Sequence, residues 1–513
     1  MKRIIFLIIG TLLVLGLVLP GCTGGPPVEE NEIVIAVCGP MTDLQGQNHW
    51  DGASMAAEEI NAAGGITING TAYTVELKKV ETKEATEGED GSTGTANLQA
   101  VIDGVDFCVG GFRTEVVQVY REVAMTAKKI FMNCGAATGS LQFSTVTNYD
   151  KYKYWIKSTP YNESFLVTSC LKMTSAVAAV VKATLVAADA SVDPNYKVSL
   201  AVGNKLRVEI LMENAAWCAG MVTAANYYLP LLGFNVTGST TVSPTDTDIN
   251  DVLGGYLTAG HYPHIIFTAF SGSVGAVYSI QKNGLGIPAL TIGINVPGQQ
   301  LSHWANTGGA CKGEIMLDTW AVNLSNTATT VAWFNAYMAR TGRYPVYTAG
   351  TYDSIYFVTK AMKATNSFDS DVLVAWMEDP ANAFTTGVSS PKVMLYPTPA
   401  LTYNSTLYYL SEAQVATMYN LASYNKTYNQ LDWQCGFNGT TQKPHITHDI
   451  AYGPGLVTGV GSQWQEITGS GVKVGIWPMN LGPNPLLVDQ YGNWSFAYPG
   501  TFSLYFDVTA FFP

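Results

Sequence analysis

The chain has 513 residues, with 27 Lys and Arg against 39 Asp and Glu and a formal net charge of −12. At roughly 150 residues per domain that length holds several domains, and a 47% hydrophobic share with only 13% charged residues excludes a disordered chain. The acidic balance excludes nucleic acid as the working partner, because no basic field exists to displace counterions from phosphates.

Lys2 and Arg3 precede an apolar run, Ile4–Leu19, which is followed by Pro20-Gly21-Cys22. A basic start, a short apolar stretch and a small residue before the cut define a signal peptide over residues 1–21. At about 16 residues, the run falls short of the roughly 20 needed to span a membrane. A Cys directly after the small residue resembles a lipobox, so Cys22 is the expected lipidation site. Residues 22–31, rich in Gly, Pro and acid, then form a lipid-anchored tether. An uncleaved signal anchor is the alternative. Both place the body outside the membrane, and no later stretch reads as a span. Of the other cysteines, Cys38, Cys108 and Cys134 fall in or near predicted buried strands, where Cys acts as a small hydrophobe. Buried free thiols and one or two disulfides both fit the count, and no Cys-x-x-Cys pair suggests a metal. Eight Asn-x-Ser/Thr sequons permit glycosylation.

From residue 32 the chain alternates strand and helix. Ile33–Cys38 is a wholly apolar strand, Gly52–Ala63 a helix stopped by Gly64-Gly65, Tyr73–Glu81 a strand and Thr95–Ile102 a helix. Phe107–Gly110, Thr114–Ala127 and Ile130–Asn133 continue as strand, helix, strand. A second series follows Tyr154–Ser158, with helices at Phe165–Thr184, Trp217–Leu232, Ile249–Ala259 and Ser273–Asn283. Its strands lie at Arg207–Met212, Ser239–Val242, His264–Thr268 and Ala289–Ile292. Helices at Thr330–Thr341 and Gly350–Thr365 read as additions to the first sheet, with Glu314–Trp320 as a connecting strand. The fold class is therefore α/β, with two doubly wound parallel-sheet lobes and a cleft at the strand C-termini.

The opening Ile33-Val34-Ile35-Ala36-Val37-Cys38-Gly39-Pro40-Met41-Thr42 resembles that of type 1 periplasmic binding proteins of the branched-chain amino acid and amide group. So does Gly52-Ala53-Ser54-Met55-Ala56-Ala57-Glu58-Glu59-Ile60-Asn61-Ala62-Ala63-Gly64-Gly65-Ile66. Val109-Gly110-Gly111-Phe112, Gly135-Ala136-Ala137, Thr351-Tyr352-Asp353-Ser354, His448-Asp449 and the closing strand Val472–Ile476 follow in the family's order. The resemblance covers roughly residues 32–395 and 445–478. It implies two lobes joined by a three-crossover hinge, closing on a small molecule that is handed to ABC permease subunits. On this reading residues 32–158 and 320–390 form lobe 1, and 159–319 and 391–478 form lobe 2. Residues 396–444 are an insertion, and 479–513 a C-terminal extension that either forms a partner surface or packs locally.

Within the cleft, Phe112-Arg113-Thr114 ends a strand and opens a helix, so its N–H groups suit a ligand carboxylate. Arg113 departs from the family pattern and adds a possible bidentate clamp, against the alternative of a solvated side chain beside Glu115. Gly135-Ala136-Ala137-Thr138 is a second turn whose small residues admit close approach. Tyr161 and Glu163 lie just past the first crossover and are further candidates for the cleft. The resemblance implies aromatic walls at Trp217 and Phe270, for which core packing is the alternative. It also implies an acid at the position of Asn295. The amide there gives up the charge-assisted pairing with an α-ammonium and suits a carboxylate or amide ligand at least as well.

Enzyme signals fail individually. His445-x-x-His448-Asp449 places its members on opposite faces of a strand, His261-x-x-His264 reads as a solvated turn, and Gly453-Pro454-Gly455 lacks a dinucleotide-loop spacing. No nucleophile elbow or P-loop occurs, and no catalytic set, cofactor or metal is expected. The expected function is solute binding by cleft closure for an importer. A ligand-sensing receptor and a surface assembly protein are the rivals.

Overall fold

The computed structural model describes residues 31–86, 88–160, 162–198, 202–321, 329–379, 382, 387, 401–403, 406–408, 448–449, 460–477 and 504–513. The signal peptide, Cys22, Tyr161, Cys435, His445, Gly453-Pro454-Gly455, most of the 396–444 insertion and residues 479–503 lie outside these.

In lobe 1 the strands are β1 (Glu32–Gly39), β2 (Ile66–Ile68), β3 (Thr71–Glu81), β4 (Phe107–Gly110), β5 (Phe131–Asn133) and β6 (Trp155–Lys157), in the order β2-β3-β1-β4-β5-β6. All are parallel except β2, a short antiparallel edge on β3. Ile33, Ile35 and Val37 on one face of β1 and Ala36 and Cys38 on the other are all fully buried, as helices packed on both sides of a parallel sheet require.

Lobe 2 repeats the plan with β7 (Arg207–Glu213), β8 (Asn235–Val242), β9 (Ile265–Phe270), β10 (Leu290–Asn295) and β11 (Ile315–Asp318). A two-stranded hairpin, β12 (Leu401–Tyr403) and β13 (Thr406–Tyr408), stands apart from both large sheets. A later hairpin, β14 (Val460–Ile467) and β15 (Ser470–Trp477), extends the second sheet, giving β15-β14-β11-β10-β9-β7-β8. β14 runs antiparallel to β11. The parallel parts of both sheets thus have one strand order, and each reverses direction beside its first strand. That reversal opens a crevice at the strand C-termini.

The chain leaves lobe 1 after β6 and enters the helix Glu163–Ala187, the central helix of lobe 2. It returns after β11. Ile355, Phe357 and Val358 of the helix Thr351–Thr365, and Leu373 and Val374 of Ser370–Glu378, join the lobe 1 core. It crosses again before β14, and His448 and Asp449 lie against the first crossover, with Lys157 N–H donating to His448 O at 2.9 Å and Asn162 Nδ2 to Asp449 Oδ2 at 2.7 Å.

Two expectations need correction. Glu163–Ala187 is, by length and composition, long and apolar enough to cross a membrane. Leu166, Cys170, Met173, Val177 and Val181 nevertheless pack into the lobe 2 core, which accounts for its apolar character. His264 is not solvated: it is buried, its Nδ1 accepting from Arg207 N–H at 2.9 Å and its Nε2 donating to Tyr196 O at 2.8 Å. Its neighbour His261 is half-buried and bonds Glu209 at 2.6 Å. Cys38, Cys108, Cys134, Cys170, Cys218 and Cys311 are buried free thiols. At the C-terminus Phe511 packs on Tyr196 in the lobe 2 core, so this end of the extension is held locally.

Candidate functional site

The strand C-termini of the two lobes enclose a cavity of about 650 Å³, counting its solvent-open part. Lobe 1 contributes Phe112, Arg113 and Thr114 after β4, and Gly135 and Ala137 after β5. Ala215, Trp217, Ser271, Ile294, Val296, Gln299 and Leu317–Thr319 come from lobe 2, with Pro160, Leu166 and Tyr347 at the crossovers. Outside it lies a larger, more polar space of about 1170 Å³ that shares Phe112, Arg113 and Ser271 and is also lined by Gln45, His303 and Arg343. The lobes touch across the cleft, where Ala216 N–H donates to Glu115 Oε1 at 2.8 Å and Gln45 Nε2 to Ser271 O at 3.4 Å.

The turn after β4 carries its own anion. Phe112 and Arg113 N–H donate to Glu84 Oε2 at 2.8 and 2.6 Å, while the Tyr120 and Thr82 hydroxyls donate to Oε1. Burial pushes Glu84 up to about 7 against these four donors. Across the cleft Glu213, at the end of β7, accepts from Ser271 and Gly272 N–H, the Ser271 hydroxyl and Trp217 Nε1. These two carboxylates organise the turns that face the cavity and use up donors that would otherwise meet a ligand.

What stays available is more specific. Arg113 lines both spaces and is half-buried, and its guanidinium has no hydrogen bond or ion pair among the described residues. Asp318 also lines the cavity, yet its charge is spent. Lys473 Nζ from β15 lies 2.5 Å from Oδ2, the Ser462 hydroxyl donates to the same oxygen, and Thr319 N–H donates to Oδ1. Burial pushes the Asp318 carboxyl up and the Lys473 ammonium opposes that. Lys473 also donates to Gln299 O at 2.8 Å. The Gln299 side chain gives its Nε2 to Leu317 O at 3.1 Å, leaving Oε1 buried and without a partner in the described residues.

Of the residues singled out in the sequence, Phe112, Arg113, Thr114, Gly135, Ala137 and Trp217 line the cavity. Ala136 is buried behind the turn, its carbonyl accepting from Asn133 Nδ2 and Lys157 Nζ. Thr138 sits one shell back, its hydroxyl 2.6 Å from that of Thr114. Phe270 packs into a separate apolar cluster, with its ring 5.3 Å from that of Tyr278. The Asn295 side chain turns inward, donating to Gly275 O and accepting from Gly298 N–H. Glu163 lies beside the cavity, its carboxylate bonded to Gly139 N–H, and burial pushes it up to about 7. Tyr161 is outside the described residues. Sequence reasoning missed Gln299, Asp318 and Lys473. The Pro297-Gly298-Gln299-Gln300 turn, two amides directly after a buried strand, was the available signal for the first. Nothing local marks Lys473, which reaches the site from a strand more than 150 residues further along the chain. Among the described residues no group of His, Cys, Asp and Glu is placed to hold a metal ion.

Two sheets of one strand order, facing each other across a ligand-sized cleft, define a two-lobed binding protein. The model of the periplasmic binding protein family matches residues 33–398, and the chain belongs to that family, one of binding proteins rather than enzymes acting outside the cytoplasm. Among solved structures it is similar to the branched-chain amino acid transporter substrate binding protein of Streptococcus pneumoniae in complex with isoleucine. That match has 20% identity over 71% of this chain and 92% of the other, with a TM-score of 0.53. A putative branched-chain amino acid ABC transporter protein of Silicibacter pomeroyi matches at 15% identity over 87% and 97%, with a TM-score of 0.58. A solute binding protein of an ABC transporter from R. palustris, in complex with 4-hydroxybenzoate, matches at 15% over 74% and 96%, with a TM-score of 0.53. At these identities the likeness is one of fold. No curated protein matches the sequence.

Proposed function

We propose that this protein is the extracytoplasmic substrate-binding component of an ABC importer, held at the membrane by a lipid on Cys22, and that its ligand is a small carboxylate with an apolar, preferably aromatic, body. The observation that carries this reading is Arg113, which lines a mainly apolar cavity and whose guanidinium pairs with no described acid. A planar guanidinium matches a carboxylate with two parallel bonds. Phe112, Trp217, Leu166, Ile294, Val296 and Leu317 supply apolar contact for the remainder of the ligand. An α-amino acid fits less well, because among the described residues Asp318 is the one acid in the cavity lining, and its side chain is buried and paired with Lys473. The complex of a structurally similar protein with 4-hydroxybenzoate supports the aromatic acid class.

Thermal unfolding of the soluble form against aromatic carboxylates, aliphatic carboxylates and branched-chain amino acids tests the proposal. A ligand at about a hundred times its Kd adds roughly 2.7 kcal/mol of stability. The expected result is a shift with aromatic carboxylates. A shift with amino acids alone would overturn the ligand assignment while leaving the transport role standing.

A further inference from the structure

We infer that two copies of this protein associate through the outward face of the helix Ala216–Leu231 in lobe 2, the two helices packing antiparallel about a two-fold axis. The inference does not depend on which ligand the cleft takes. This helix buries Cys218, Met221, Ala225 and Leu229 in the lobe 2 core. Its opposite face carries Ala219, Thr223, Tyr227 and Leu231, spaced by four and all exposed, so they form one ridge. None of the four lines the cavity. Tyr227 and Leu231 are 64% and 68% exposed, and Tyr228, its ring edge-on to Tyr227 at 4.9 Å, is 47% exposed. An aromatic side chain offers about 150 to 250 Å² for burial, so the two tyrosines alone leave on the order of 200 Å² in water.

Two features select a second copy as the occupant. The first is the order of sizes along the ridge, which runs Ala, Thr, Tyr, Leu, from small to large. Turned end for end against itself, the ridge sets Leu231 of one copy over Ala219 of the other and Tyr227 over Thr223. Each large side chain then meets a small one, and the pairs repeat on both sides of the axis, as an isologous contact requires. Thr223 spends its hydroxyl on Ala219 O at 3.1 Å, which leaves its methyl group for that contact. The second feature is charge. A net charge of −12 makes most approaches between copies repulsive. Residues 214–245, however, contain no Asp, Glu, Lys, Arg or His. They cover this helix and the edge strand β8, which is bonded to it through Asn226 Nδ2 and Ser239 Oγ at 3.0 Å. A charged partner finds nothing to pair with on this surface, whereas two acidic chains meet there at the least electrostatic cost.

Sedimentation equilibrium of the soluble form, without ligand, tests the inference. A ridge this short gives a weak dimer, with an expected Kd of about 10 to 100 μM, in the class of small transient interfaces. Raising salt should leave the dimer intact or tighten it, because the contact is neutral and the repulsion is screened. Thr223→Glu and Tyr227→Lys should each weaken the dimer at least about tenfold while leaving thermal unfolding unchanged, since both positions are exposed. Mixed one to one, the two variants should regain a dimer. The new ammonium of one copy then meets the new carboxylate of the other, and the second Thr223–Tyr227 contact is intact. Wild-type protein that stays monomeric up to about 500 μM, well above the Kd of weak complexes, overturns the inference. A monomer in which Tyr227 nevertheless resists surface labelling does so too, and assigns the face to the chain's own residues 479–503. A dimer that survives both variants places the contact elsewhere, and a mixture that stays monomeric refutes the antiparallel pairing.

Discussion

Arg113 lines the cavity with a side chain that has no hydrogen bond or ion pair among the described residues. Glu84, Glu213 and Asp318 each carry several internal donors, and their removal would disturb the fold along with any ligand. Arg113→Gln should therefore weaken binding of an aromatic carboxylate by about 10- to 100-fold, the size of a lost charge-assisted bidentate bond. It should leave unfolding stability within about 0.5 kcal/mol. Titration calorimetry paired with urea melts checks both halves, and a large loss of stability would count against the free guanidinium. Titratable groups make a second prediction at this scale. Burial, helped by the Arg207 guanidinium, holds His264 down at about 4, below its ordinary 6.5. The unfolded chain then binds more protons than the native one between these values, so His264 costs stability as pH falls from 6.5 to 4. Glu84, raised to about 7, has the opposite sign, its contribution being lost as pH rises from 4.5 through 7. The two oppose each other in the shared window, and below pH 4.5 the loss from His264, joined by that from His49, which burial also holds at about 4, is no longer offset by Glu84. His264→Gln keeps one donor and one acceptor but cannot charge. Its melting temperature should fall less than that of the wild type between pH 5 and pH 4.

At the scale of elements, caps discriminate structural from local roles. Asp369 accepts from Asp371 and Val372 N–H at an exposed helix start, whereas Asn162 caps the central helix of lobe 2 at Phe165 N–H and donates to Asp449 from a buried position. Asp369→Ala should cost about 1 kcal/mol, and Asn162→Ala about 2 to 3 kcal/mol, since it also removes a hydrogen bond to the buried Asp449 carboxylate. Urea midpoints should show that ranking, and equal costs would mean that the Asp449 bond contributes nothing. The regular elements were legible because their periodicity is strong. Phe107–Gly110 and Thr330–Thr341 stand where the pattern places them, and Thr114–Thr126 ends within one residue of it. The three-residue β2 and the helix Gly139–Thr147, with its Ser and Thr, carry no such pattern. The cavity residues were legible to the strand end but not to the face. β9 and β10 are buried on both sides, so alternation cannot say which of two neighbours meets the ligand. Ile294 and Val296 line the cavity and Asn295 between them points away, while Ser271 lines it and Phe270 packs into the interior. Residues brought from far along the chain, Lys473 above all, leave no local trace.

For the whole molecule, the function depends on how firmly the lobes close. Ala216 opens a lobe 2 helix, and its N–H is held by the Glu115 carboxylate from the first turn of a lobe 1 helix. The carboxylate meets the positive end of the lobe 2 helix dipole, an interaction worth about 0.3 to 1 kcal/mol at an exposed site. It exists only when the lobes meet, so it adds to the free energy of closure and, through closure, to affinity for a ligand that Glu115 does not line. Glu115→Ala should thus weaken ligand binding about two- to fivefold, mostly through faster release, with the lobes themselves as stable as before. Raising salt should shrink the difference between wild type and variant, because the contact is exposed and screened. Small-angle scattering without ligand should show the variant displaced toward a more open form. Unchanged affinity together with an unchanged scattering profile would mean that closure is set by the other contacts across the cleft, the Gln45–Ser271 bond and the packing of Phe112 and Ala137 against lobe 2 among them.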